Sequence, residues 1–224
     1  DRISLTDAHI DASGRHGGGL IRIGGDYRGQ HQGSDAIATA PTTIVDADSI
    51  LSADAILTGN GGSSIVWADD TTQFNGSISA TGGSAGGDGG FAEVSGKKTL
   101  SFTGSIDVRA EIGDQGNILL DPENLVITDG LPPNNTAQTD YLSSATVENL
   151  FANVSLEASN DIVIEDLSDD VLLFSIGTNV TFTADSDNDG SGSFTMNVGD
   201  TLRAEQGDVT ITGAGITTGV IDTS

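Results

Sequence analysis

A short strand, a glycine-rich turn and a second short strand recur along this chain at intervals of 22–29 residues, and few folds accommodate such a period. One copy runs Ile10-Asp11-Ala12-Ser13-Gly14, Gly17-Gly18-Gly19, then Leu20-Ile21-Arg22-Ile23-Gly24-Gly25. Another is Ala55-Ile56-Leu57-Thr58-Gly59-Asn60-Gly61-Gly62 with Ser64-Ile65-Val66-Trp67. A third is Ile78-Ser79-Ala80-Thr81-Gly82-Gly83, Gly86-Gly87-Asp88-Gly89-Gly90 and Phe91-Ala92-Glu93-Val94. A fourth is Ile106-Asp107-Val108-Arg109-Ala110 with Asn117-Ile118-Leu119-Leu120. The second strands of these copies begin at 20, 64, 91 and 117, and Thr43-Ile44-Val45 is expected to supply a rung inside the long first interval. The period continues in Asn153–Ala158, Asn179–Ala184 and Asp208–Gly213.

Strands this short alternate inward and outward with period two, and at about 3.3 Å per residue they span only some 15 Å. One turn of chain cannot enclose its own core, but stacked turns can, each strand pairing with those above and below. Ile21 and Ile23 are expected to point inward with Leu20 and Arg22 outward, and Ile65 and Trp67 to share a face opposite Val66. Glycine serves the tight bends, while Ser, Thr and Asn at equivalent turn positions can bond as ladders. Asn60-Gly61 is also a good hairpin turn, but an antiparallel sandwich has no reason to repeat itself at 22–29 residues. The expectation is an all-β parallel solenoid of eight or nine coils. Gly-rich coils fill 1–129, an insertion occupies 130–152, and further coils fill 153–224. Gly29–Pro41 lacks alternation and reads as an extruded loop. In the insertion, Gly130-Leu131-Pro132-Pro133-Asn134-Asn135 reads as a loop. Val147, Leu150 and Phe151 then fall at i, i+3, i+4 behind a Ser cap and predict a short helix near 144–152 against the flank of the stack.

Composition agrees with a thin core. Hydrophobic residues make up 36% and aromatics 4%, with 31 glycines and only four prolines. Thirty-three acidic residues against eight basic ones give a net charge of −25. That excludes nucleic acid as a natural partner, since phosphate binding needs clustered Lys and Arg. It disfavours anionic membranes too, and leaves cations, basic surfaces and neutral polysaccharide. The same charge also keeps a long chain soluble. There is no cysteine, which fits export and rules out a disulfide framework. No run of 18 apolar residues predicts a membrane insertion. The start at Asp1-Arg2-Ile3 carries no signal peptide and reads as a processed piece.

Gly18-Gly19-Leu20-Ile21-Arg22-Ile23-Gly24-Gly25-Asp26-Tyr27, Gly89-Gly90-Phe91-Ala92-Glu93-Val94-Ser95-Gly96 and Gly116-Asn117-Ile118-Leu119-Leu120-Asp121-Pro122 resemble repeats of filamentous-haemagglutinin-like exoproteins. Val154-Ser155-Leu156-Glu157-Ala158-Ser159-Asn160-Asp161-Ile162 is similar to the segment that follows them in such proteins. The resemblance spans most of the chain. It implies a right-handed parallel β-helix, exported by two-partner secretion and displayed at the outer membrane or released. It also implies a non-enzymatic role in adhesion, aggregation or a sheath, with cell-surface or matrix carbohydrate or protein as partner. End-to-end self-association is a further possibility, because an uncapped end exposes unpaired backbone groups.

One local motif points to metal chemistry. Asp185-Ser186-Asp187-Asn188-Asp189-Gly190 has the alternating carboxylates and turn glycine of the first half of a calcium loop. Asp185, Asp187, Asp189 and Ser191, the last through its carbonyl, are the expected calcium ligands. Position 12 of an EF-hand falls on Met196, so this is a turn between strands and not an EF-hand. Glu165, Asp166, Asp169 and Asp170, like Asp69-Asp70, read as surface turns. Polysaccharide-degrading β-helices carry acid–base residues on neighbouring coils of one face, which keeps a carbohydrate-active alternative open. Arg2, Arg15, Arg22, Arg28, Lys97, Lys98, Arg109 and Arg203 are scattered, however, His9, His16 and His31 match no metal or catalytic spacing, and no G-x-S-x-G elbow is present.

Overall fold

The computed structural model describes residues 1–30, 35–130 and 139–224. The protein is almost entirely β, and every strand pair among the described residues is parallel. The longest sheet stacks Leu20–Ile23, Ser63–Ala68, Phe91–Gly96, Asn117–Asp121, Asn153–Glu157, Val180–Thr183 and Val209–Thr212 in chain order. These are the second strands of the sequence repeat. Asn60-Gly61 makes no hairpin: Gly61 donates its N–H to the Asp88 carbonyl of the next turn at 2.9 Å.

Each repeat contains a third strand that the sequence pattern did not reveal. Arg2–Leu5, Thr42–Val45, Thr71–Phe74 and Thr99–Phe102 form a second sheet. His9–Asp11, Ile50–Ser52, Ser77–Ser79 and Ser105–Asp107 form a third. Thr43-Ile44-Val45 therefore belongs to the second sheet, not to the missing rung of the first. The interval from residue 20 to residue 63 is one long repeat carrying an insertion, so the period exceeds 22–29 residues there.

Register aligns inward residues into columns. Ile23, Val66, Val94, Leu120, Leu156, Phe182 and Ile211 stack in the first sheet, and Leu5, Val45, Phe74 and Phe102 in the second. Phe74 and Phe102 stack face to face with centroids 5.7 Å apart. Where inward positions carry hydroxyls, Thr43 and Thr72 donate to the carbonyls of Trp67 and Ser95 at 2.7 Å, so burial leaves neither unsatisfied. The expected polar ladders are present. Asn179 and Asp208 donate their N–H groups to the side-chain oxygens of Asn153 and Asn179, both at 2.9 Å. Gly87 shows why the turns are glycine-rich: at φ 139° it passes so close to the turn below that a Cβ would lie 1.9 Å from the Gly59 carbonyl oxygen.

The described part of the insertion, 139–152, lies within the stack, not on its flank. Asp140–Ser143 pairs with Leu125–Thr128, which in turn pairs with Ile162–Ile164. Its other side meets Thr99–Phe102, where the Leu100 N–H donates to the Asp140 carboxylate at 2.7 Å. The helix is Ser144–Glu148, shorter than expected, and its predicted cap is there: Ser143 Oγ accepts from the Thr146 N–H at 3.0 Å. Val147 and Leu150 join the core between Ile106 and Leu172, but Phe151 is 48% exposed and takes no part. The predicted Pro-rich loop falls at 131–138, outside the described residues. Past the helix, Val171–Leu173, Thr201–Arg203 and Val220–Asp222 form a further sheet, while Ser193–Met196 and Gly215–Thr217 extend that of Ile162–Ile164.

Candidate functional site

The outward face of the long sheet is covered by residues 24–30, where the chain leaves the stack. Ile65, Trp67 and Leu119 point away from the core as alternation requires, yet each is at most 5% exposed. The 24–40 segment is pinned at its base by Ala40 N–H to the Gly24 carbonyl at 2.9 Å, and internally by Asp26, which accepts from Ile37 N–H and pairs with Arg22. A turn at Tyr27–Gly29 then lies across the sheet. Gly29 sits at φ 61° with its Cα against the Trp67 indole, where a Cβ would be 2.3 Å from Cζ2. Tyr27 meets Phe91 edge-on at 5.7 Å.

Beneath this segment three carboxylates come from consecutive rungs. Glu93 stands outward on Phe91–Gly96, where it pairs with Leu119, and Asp121 and Glu157 stand two positions further along on the next two strands. Glu93 is fully buried and accepts the Arg28 N–H at 3.0 and 3.2 Å, so the carboxylate anchors the covering turn by its backbone. The Arg28 guanidinium reaches over to pair with Glu157. One cation serves three acids, and burial dominates the result. Desolvation pushes the Glu93 carboxyl up to about 7 and that of Asp121 up to about 7; Asp121 is further raised by the Glu157 charge. A cleft of about 280 Å³ opens beside them, bounded by Arg28, Trp67, Lys97, Asp121, Glu157 and Asp187. A cleft of about 480 Å³ lies along the third sheet, with Asp54, Thr81, Ser84, Asp107, Arg109 and Glu111 among its walls.

The predicted calcium turn is brought together in part. Carboxylate oxygens of Asp185, Asp187 and Asp189 lie within 4.8 Å of one another. Their other bonds are those of a folded acidic turn: Gly190 N–H donates to Asp185 at 3.1 Å and Ser191 N–H to Asp189 at 2.7 Å. The Ser191 contribution seen is thus its N–H to a carboxylate. Asp69 accepts from Thr39 and Trp67, and Asp70 pairs with Lys98, as surface turns do. Neither His9 nor His16 joins an acidic group close enough to share a cation, and His31 lies outside the described residues.

Sequence reasoning missed two features. Glu93, Asp121 and Glu157 lie far apart in the chain, and only the stacking of three rungs brings them together near Arg28. The Asp166 and Asp170 turn, read as a solvated surface, meets Asp200 from the following repeat. Its one available signal was the aspartate standing immediately before both Val171–Leu173 and Thr201–Arg203. No family model matches the chain, and neither does any curated protein.

Proposed function

We propose that this chain is a segment of a right-handed parallel β-helix forming part of a rod in a secreted, surface-displayed adhesive exoprotein of the filamentous-haemagglutinin kind. The observation that carries the reading is the set of in-register parallel stacks around one continuous narrow core, a construction that extends by adding repeats. Its outer surface is acidic and polar, suited to cell-surface or matrix carbohydrate or to a basic protein patch. In this reading the role is not enzymatic, and Glu93, the most deeply buried of the three acids, serves to anchor the covering turn at Arg28. Calcium at Asp185, Asp187 and Asp189 is part of this reading, with the cation bracing an exposed turn. Beads coated with the chain should be retained on cells or polysaccharide films, and soluble chain should compete them off. Equal retention of uncoated beads would refute adhesion. Loss of calcium heat on Asp187→Ala checks the turn.

Two other readings have a specific observation each. The in-register parallel pairing that joins rung to rung within the chain is the kind of contact that would join one chain to the next in a filament. Concentration-dependent fibres in the electron microscope would select it, and a monodisperse monomer at high concentration would reject it. The cleft holding Asp121, Glu157, Arg28 and Lys97 favours a carbohydrate-active site. Polysaccharide turnover lost in Asp121→Ala would select that reading, and its absence across neutral and acidic polysaccharides would reject it.

A further inference from the structure

Three consecutive repeats bring acidic turns to one corner of the stack, between the second-position strand and the third. Asp129 follows Leu125–Thr128, Asp166 and Asp170 lie between Ile162–Ile164 and Val171–Leu173, and Asp200 precedes Thr201–Arg203. The turns are keyed to one another by backbone bonds: Thr201 N–H to the Asp170 carbonyl at 2.8 Å and Val220 N–H to the Asp200 carbonyl at 2.9 Å. Asp170 is held in the left-handed region at φ 59°. The corner is therefore a fixed piece of the stack.

Its carboxylates converge. One oxygen each from Asp166, Asp170 and Asp200 lies within 4.8 Å of the others. Oxygens that close are within reach of one calcium ion, whose ligands at about 2.3–2.6 Å stand up to about 5 Å apart. Asp166 and Asp170 are exposed and Asp200 is wholly buried. Oδ2 of Asp200 accepts the Leu167 N–H at 3.2 Å, while its Oδ1, equally buried, has no hydrogen-bond partner. A buried carboxylate oxygen left without a donor is costly, and native folds rarely retain one. No ion pair among the described residues involves Asp166, Asp170 or Asp200. Asp129 adds to the negative field but is committed elsewhere, to Ser168 and Ser144.

We propose that Asp166, Asp170 and Asp200 form a calcium site that ties two successive repeats together at this corner, with Asp200 as the inner ligand and water completing the open side. The site is distinct from the Asp185–Asp189 turn. It is solvent-facing, with few protein ligands, so its affinity falls in the range of extracellular modules, about 10⁻⁴–10⁻³ M.

The test uses calcium chloride with the whole chain at constant ionic strength, magnesium chloride serving as the control for general screening of the −25 charge. Calcium should raise the thermal midpoint beyond the magnesium effect. Measured in an Asp187→Asn background, which silences the other acidic turn, that increment should vanish in Asp166→Asn, an exposed position whose exchange spares the fold, and in Asp200→Asn, whose amide oxygen can still accept from Leu167. Asp187→Asn should retain it. No calcium-specific increment in the parent chain would overturn the proposal, and so would its persistence in Asp166→Asn in that background. An increment lost only in Asp187→Asn would place the cation in the other turn and overturn it as well.

Discussion

Glu93→Gln should flatten the dependence of stability on pH. The side chain is completely buried, and its carboxyl is raised from 4.5 to about 7 by burial. Between those two values the folded protein holds a proton that the unfolded chain has released, so stability falls as pH rises through this window and levels off above about 7. The whole change corresponds to about 3 kcal/mol, with a limiting slope of about 1.4 kcal/mol per pH unit. Asp121, also raised to about 7, adds to the fall; because both acids share the field of Arg28, they titrate as a coupled set rather than additively. The carboxylates held low by hydrogen bonds, among them Asp46 and Asp129, contribute in the opposite direction but below the ordinary carboxylate range. Glutamine keeps an acceptor for the Arg28 N–H and removes the titration. Urea unfolding at pH 5, 6, 7 and 8 can be followed through Trp67, the sole tryptophan, which lies directly beneath the covering turn. The parent should lose stability from pH 5 to 7.5, and the variant should lose less, by up to about 3 kcal/mol. Parallel curves, or a parent that gains stability across this interval, would refute the account of Glu93.

Three further substitutions probe the architecture. Gly29→Ala places a methyl on the Trp67 ring at a positive φ, and should destabilise by about 1–3 kcal/mol while red-shifting Trp67 emission as the turn lifts. Phe182→Ala removes a fully buried ring packed against Phe174 and Phe194, with centroids at 6.3 and 5.1 Å; a loss of about 3–5 kcal/mol in urea melts is expected. Ser143→Ala deletes the helix cap and should cost about 1 kcal/mol, with faster hydrogen exchange at Thr146 while Val180–Thr183 is unaffected.

The repeat of glycine-rich turns and Ile- or Val-bearing strands was legible because both signals are local. A backbone that must bend sharply against its neighbour selects glycine, and a strand with one buried face alternates. Those two rules located the strands of the long sheet to within a residue or two and anticipated the asparagine ladders, the extruded segment and the Ser143 cap. Of the second-sheet strands only Thr43-Ile44-Val45 was visible; Thr-Thr-Gln-Phe and Thr-Leu-Ser-Phe present too few apolar residues to alternate visibly, and the inward Thr72 is satisfied by a carbonyl that only the stack supplies. Phe151 was misplaced for a related reason: helical spacing marks a face, but a helix that ends at Glu148 no longer carries residue 151 on it.

The sequence by itself determined that the chain repeats, that its core is thin, that its surface is strongly acidic, and that Asp185, Asp187 and Asp189 share a turn. Tertiary structure alone decided which acids meet. Glu93, Asp121 and Glu157 are brought onto one face by three successive rungs and meet Arg28 from an earlier repeat, and Asp200 joins Asp166 and Asp170 because the next repeat stacks on theirs. In a parallel stack, neighbours in space are one repeat apart in the chain, so a local pattern shows the rungs and not what stands between them.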